Sequence, residues 1–127
     1  MKKILFLLIA VVMAAFAVEA KSKAEIKFDA VSHDFGTIRA AGGKVTAIYK
    51  FTNTGDKPLV VVSVSNGGCG CTVPSYPKMP IEPGKTGEIS ITFDPRGRSG
   101  EFERVVKVRT NAGSARQKLT FSGTIIP

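Results

Sequence analysis

The chain of 127 residues is poor in the side chains from which most active sites are assembled, with one histidine and two cysteines. That set falls short of the four protein ligands that structural zinc takes. A nucleophile beside a base, a facing carboxylate pair and a glycine-rich phosphate loop are all missing from the sequence, which argues against an enzyme. No stretch of the chain beyond its N-terminus holds a 3.6-residue apolar period long enough for a helix. Nor is there a second apolar run of membrane length, or a repeat, linker or low-complexity segment to mark a second domain.

The N-terminus does carry a signal. Lys2 and Lys3 precede an uninterrupted apolar run from Ile4 to Val18, which Glu19 ends before it can span a bilayer. Val18-Glu19-Ala20 supplies a small-residue cleavage pattern ahead of Lys21. Residues 1–20 are therefore expected to be a signal peptide cut after Ala20; a cut after Ala17 is the weaker alternative. No cysteine stands near either site to take a lipid anchor. Residues 21–127 are expected to form one periplasmic or secreted domain, with no stable membrane span after cleavage and enough chain to bury a core unaided. Without Lys2, Lys3 and Glu19 the balance is sixteen basic to nine acidic residues, or +7. Such a charge favours anionic partners. An exported protein rarely meets nucleic acid, so the expected counterpart is a protein or an anionic glycan of the cell envelope.

The pattern of residues 21–127 is that of strands. Val45, Ala47, Tyr49 and Phe51 alternate with Thr46, Lys50 and Thr52, and Ile89, Ile91 and Phe93 alternate with Glu88, Ser90 and Thr92. Between them Leu59 to Val64 is a near-continuous β-branched run, expected to be a buried central strand. Asn53 to Pro58, Glu82 to Lys85 and Asp94 to Gly97 read as turns. Phe102, Val106 and Val108 continue the pattern, and Leu119, Phe121 and Ile125 end it. An initial strand holds Ile26, Phe28, Phe35 and Ile38, with its phase slipping at Gly36, where a bulge or a crossing between sheets is expected. Six to eight short strands in this length suggest an all-β, immunoglobulin-like β-sandwich of about seven strands.

His33-Asp34-Phe35-Gly36-Thr37-Ile38, Phe51-Thr52-Asn53-Thr54-Gly55, Pro58-Leu59, Cys69-Gly70-Cys71-Thr72, Ile81-Glu82-Pro83-Gly84 and Phe93-Asp94 follow one another in order. From about Val31 to Ile125 the chain thereby resembles the secreted bacterial family called domain of unknown function 1573. The resemblance implies a β-sandwich similar to major-sperm-protein, PapD and Hydin-type modules, which serve mainly in binding and assembly. It implies no particular activity.

One motif is chemically loaded. Cys69-Gly70-Cys71 follows Ser65-Asn66-Gly67-Gly68, a glycine-rich stretch past a strand. In extended chain, residues two apart point the same way with Cα atoms about 6.6 Å apart, near the upper limit for a disulfide unless the chain bends at Gly70. A disulfide suits an oxidising compartment. Two thiolates would also suit Cu(I), with His33 or Met79 as added ligands. Two small buried hydrophobes, or an intermolecular bridge, complete the alternatives. No other cofactor is suggested. Lone His33 beside Asp34 reads as a structural hydrogen-bonding group.

A hairpin about Asn111-Ala112-Gly113-Ser114 would set Arg109 opposite Arg116 and Lys107 opposite Lys118, all facing outward. Like charges opposed in a sheet are destabilising, which marks the four as a patch for an anionic partner. The expected function is a non-enzymatic binding or assembly module of the envelope, working through sheet edges and loops. The alternative is copper binding or thiol redox chemistry at Cys69 and Cys71.

Overall fold

A computed structural model of the chain describes residues 23–113 and 116–127; the expected signal segment lies outside them. Eight strands follow in order: β1 (Ile26–Phe28), β2 (Ser32–Arg39), β3 (Val45–Asn53), β4 (Val61–Val64), β5 (Thr72–Ser75), β6 (Thr86–Phe93), β7 (Gly100–Thr110) and β8 (Gln117–Ile126). They form two four-stranded sheets, β1-β3-β6-β5 and β2-β8-β7-β4. This is the strand arrangement of an immunoglobulin-like sandwich, with the first strand divided between the sheets.

The core is where alternation puts it. Ala47, Tyr49 and Phe51 of β3 and Ile89, Ile91 and Phe93 of β6 are buried against Val106 and Val108 of β7 and Leu119, Phe121 and Ile125 of β8. Ile48, in the opposite phase, is 58% exposed. Under the β6–β7 connection the core is aromatic: Phe93 stacks on Phe102 at 4.7 Å, and Phe121 lies 5.5 Å from Phe93 and 5.9 Å from Phe35. Tyr49 crosses between the sheets, its hydroxyl donating to the Thr120 carbonyl at 2.7 Å.

Two expectations need correction, and one strand is added to those read from the sequence. The run Leu59 to Val64 is not central: only Val61–Val64 is strand, at the edge of its sheet, with Val62 half exposed. Its apolar character comes from Leu59, Val61 and Val64, which reach the core, while Val62 rides on the outer side. The initial strand is two strands that change sheets between Phe28 and Ser32; Gly36 marks only a bulge, with φ of 69° and a register shift between Asp34 and Thr37. Asp34 shapes this bulge by accepting the Gly36 N–H at 2.8 Å. Finally, Thr72–Ser75 is an additional edge strand on β6. It holds Pro74, which an edge tolerates and a central ladder does not.

Candidate functional site

The sandwich is tied at both ends of β6. At one end Asn53, wholly buried, uses every hydrogen-bonding position of its side chain. Its Nδ2 donates to the carbonyls of Lys57 (2.7 Å) and Ile81 (2.9 Å), and its Oδ1 accepts from Gly55 (2.9 Å) and Glu25 (3.4 Å). Its main chain bonds Gly84 and Lys85, while Leu59 and Ile81 exchange two backbone bonds beside it. Gly55 has no room for a side chain there, because a Cβ would run into the backbone of Lys23 and Ala24. These residues build structure and offer no reactive group.

At the other end the glycine-rich loop leaves β4 along β7. Gly67, at φ 68°, passes so close to the Val105 carbonyl that a Cβ would lie 2.9 Å from it. Cys69 and Cys71 are joined in a disulfide with Cα atoms 5.2 Å apart. A turn shortens the extended distance, with the Thr72 N–H donating to the Cys69 carbonyl at 3.2 Å. The left-handed positions are Gly67 and Gly68 rather than Gly70. Asp94 N–H then bonds the Cys71 carbonyl at 2.9 Å, fixing the loop to the end of β6. Both cysteines are partly buried, and Cys71 packs on the core.

Cys69 has a charged neighbour and Cys71 a neutral one. The Arg98 Nη2 donates to Cys69 Sγ at 3.1 Å, and the Cys71 N–H donates to the same sulfur at 3.2 Å. Cys71 Sγ is near the Thr72 hydroxyl, at 3.6 Å. The neighbouring arginine engages a carboxylate instead: the Arg96 N–H reaches Asp94 Oδ1 at 3.1 Å, and its Nε and Nη2 reach Oδ2 at 3.3 and 3.1 Å. The backbone bond from Arg96, followed by its side chain, holds the Asp94 carboxyl below its ordinary pKa. Arg98 was not a sequence candidate. It lies 29 residues from Cys69, and the two meet through the pairing of β5 with β6 and the Asp94–Cys71 backbone bond.

The copper set is not assembled. Among the described residues no group of three or more His, Cys, Asp and Glu is placed to hold a metal ion. The exposed His33 sets its ring edge-on to Phe35 at 4.6 Å, and Met79, 75% exposed, follows the opposite end of β5 from the cysteines. The disulfide already engages both sulfurs.

The basic residues lie on the outer face of the second sheet. Lys107 stands directly opposite Lys118, where the β7–β8 ladder is still regular. The ladder stops at Val108 and Gln117, one position short of Arg109 and Arg116, and Arg109 pairs instead with Ser63 of β4. Lys107, Arg109 and Arg116 nevertheless line one shallow depression with Ser63, Val64 and Ser65. All four basic residues are exposed, and none forms an ion pair among the described residues. At the opposite end of the same face Asp34, Glu101 and Glu103 line a second depression. The face is therefore polarised along β7.

Fold and site together define an immunoglobulin-like β-sandwich module with a bridged Cys-Gly-Cys loop. The chain belongs to the family described as protein of unknown function (DUF1573), which matches residues 26–125. No curated protein matches it. Among solved structures it is similar to a protein of unknown function from Porphyromonas gingivalis W83, at 18% identity and a TM-score of 0.70, covering 85% of this chain and 50% of that one. This chain thus spans about half the length of that relative. It is also similar to the Vibrio cholerae VesB protease (12% identity, TM-score 0.60, 87% and 34% covered) and to the Pseudomonas aeruginosa CupB2 chaperone (13%, 0.51, 78% and 55%). At these identities the likeness is one of fold. Among the described residues no helix is long and apolar enough to cross a membrane.

Proposed function

We propose that this protein is a non-enzymatic binding or assembly module of the cell envelope, exported to the periplasm or beyond by residues 1–20, and that it docks an acidic protein or anionic glycan on the basic end of β7, β8 and β4. The observation that carries this reading is the opposition of Lys107 and Lys118, with Arg109 and Arg116 beside them and no carboxylate paired to any of the four among the described residues. Opposed like charges cost stability in a sheet, and an anionic partner relieves that cost. The similar sandwich of the CupB2 chaperone supports a role in protein interaction.

The test separates a patch from net charge. The variant Lys107→Glu, Arg116→Glu is compared on a sulfated-polysaccharide column with Lys27→Glu, Lys85→Glu, which changes the net charge equally at exposed positions on the other sheet and its turn. The patch variant is expected to elute at clearly lower salt than the control, since local complementarity adds to the overall field. Equal elution of the two would remove the docking surface and leave only a basic protein.

A further inference from the structure

The bridged loop is asymmetric in a way that a merely structural disulfide does not need. It closes only three residues, so it constrains the unfolded chain little. It sits at the end of the sandwich, where both cysteines are only partly buried. Two donors, the Arg98 guanidinium and the Cys71 N–H, converge on Cys69 Sγ. A positive charge and a hydrogen-bond donor beside a sulfur favour its thiolate over its thiol. The sulfur of Cys71, packed against the core beside a neutral hydroxyl, has no comparable support.

The other charged groups near the loop reinforce the difference. Arg96 pairs with Asp94, whose N–H holds the Cys71 carbonyl, so this carboxylate's charge is offset beside the loop. Lys107 lines the shallow groove beside Gly67 and Gly68. Named charge around the loop is thus mainly positive.

We propose that Cys69–Cys71 is a thiol–disulfide exchange site for a partner protein that presents two cysteine thiols, with Cys69 as the leaving and returning thiolate. A thiolate of the partner attacks Cys71 Sγ. A new S–S bond forms between the partner and Cys71, the Cys69–Cys71 bond breaks, and its electron pair leaves on Cys69 Sγ, where Arg98 stabilises it. The partner's second thiol, as thiolate, then attacks its own first sulfur and displaces Cys71, which takes up a proton. The partner's dithiol is thereby oxidised to a disulfide by two electrons and the Cys69–Cys71 pair is reduced. The reverse sequence begins with the Cys71 thiolate attacking the partner's disulfide and ends with the Cys69 thiolate attacking Cys71 Sγ, which re-forms the bridge and releases the partner's dithiol. Because a lower leaving-group pKa speeds this exchange, Arg98 sets its rate and direction. The exchange rests on Arg98 and the bridge, and of the basic docking face only Lys107 comes near the loop, so either proposal can fail without the other.

Two measurements test it. In the first, the full exported domain is reduced and alkylated with iodoacetamide over a pH series, and the modified cysteine is located by fragmentation mass spectrometry. Cys69 is expected to react first, at a pH at least one unit below that of an ordinary thiol, about 8.5, and Arg98→Gln is expected to move it back by a similar amount while the circular dichroism spectrum stays that of the native domain. In the second, the oxidised protein is equilibrated with glutathione buffers. The wild-type bridge is expected to open in mixtures that leave it closed in Arg98→Gln, because losing the thiolate's stabilisation disfavours the reduced form. Equal reactivity of the two cysteines, or an Arg98→Gln protein that titrates and equilibrates like the wild type, would overturn the assignment. Comparing reduced and oxidised wild-type protein by the same spectra checks that the cysteines are titrated in a folded domain, as the variant's own spectrum does for Arg98→Gln.

Discussion

At the Asn53 end of β6 and at its Phe93 end, the chain solves the same problem with different chemistry. Each end gathers segments that are distant in sequence. Asn53 does so with four neutral side-chain hydrogen bonds inside a sealed interior. The other end uses a bridge, a guanidinium and a carboxylate at a partly open surface. A buried amide with every position satisfied is strong because the alternative is a set of orphaned polar groups. A three-residue disulfide gives little by comparison, about 1.6 kcal/mol by the chain-entropy relation. The motifs that mark the family therefore divide into one set that holds the fold and one that leaves reactive atoms at its surface.

The largest effect should come from breaking the first tie. Asn53→Ala removes all four side-chain bonds and costs the Lys57 carbonyl and the Gly55 amide their bonds to Asn53, while the Ile81 carbonyl keeps the Leu59 N–H, an expected loss on the order of 3 kcal/mol. For a domain of this size that lowers the melting temperature by roughly 15 °C. Thermal denaturation followed by circular dichroism checks it. A loss under about 1 kcal/mol would mean that water replaces the amide easily, and the contrast between the two ends would disappear.

How much of this was legible follows the range of the interactions. The faces of β3 and β6 could be read because burial repeats every second residue, and the opposition of Lys107 and Lys118 because a hairpin's register follows from its turn. The edge position of β4 could not, since an apolar run is equally what an edge strand shows when Leu59, Val61 and Val64 all reach the core. β5 was hidden by its four residues and by Pro74. With β5 unseen, nothing in the sequence could join Cys69 to Arg98, and the chemistry of the motif stayed open among a bridge, copper and buried thiols. Asn53 was recognised as a turn residue, but its fourfold satisfaction depends on Glu25 and Ile81, which are each 28 residues away.

Opening the second tie should matter less. Reduction of the bridge, or the change Cys69→Ser with Cys71→Ser, is expected to cost at most about 1.6 kcal/mol, a fall of no more than about 8 °C in melting temperature. The spectrum of the folded domain should be unchanged. Reduction that unfolded the protein would make the bridge a structural staple and place both ends of β6 in the same class.

The smallest effects divide the two regions by pH. Tyr49, deep in the sandwich, has its pKa pushed from 10.0 up to about 12 by burial. Its proton is kept in the folded state and lost in the unfolded one between those values, so its contribution is whole below pH 10 and falls as pH rises towards about 12. Tyr49→Phe should cost about 1 kcal/mol at neutral pH, for the bond to Thr120, and should lack that alkaline loss. Asp94 acts at the other limb. Its pKa is lowered by the Arg96 N–H and then by the Arg96 side chain, so its contribution is whole above its ordinary value of 3.8 and disappears as pH falls through the lower, folded value. Urea denaturation from pH 2 to 5 is expected to show a shallower acid decline in Asp94→Asn than in the wild type. The same substitution removes the carboxylate that engages Arg96, so it also asks whether Arg98 holds Cys69 by itself. If Arg96 is then drawn to the sulfur as well, the Cys69 thiolate is stabilised further, and alkylation at pH 7 quickens rather than slows.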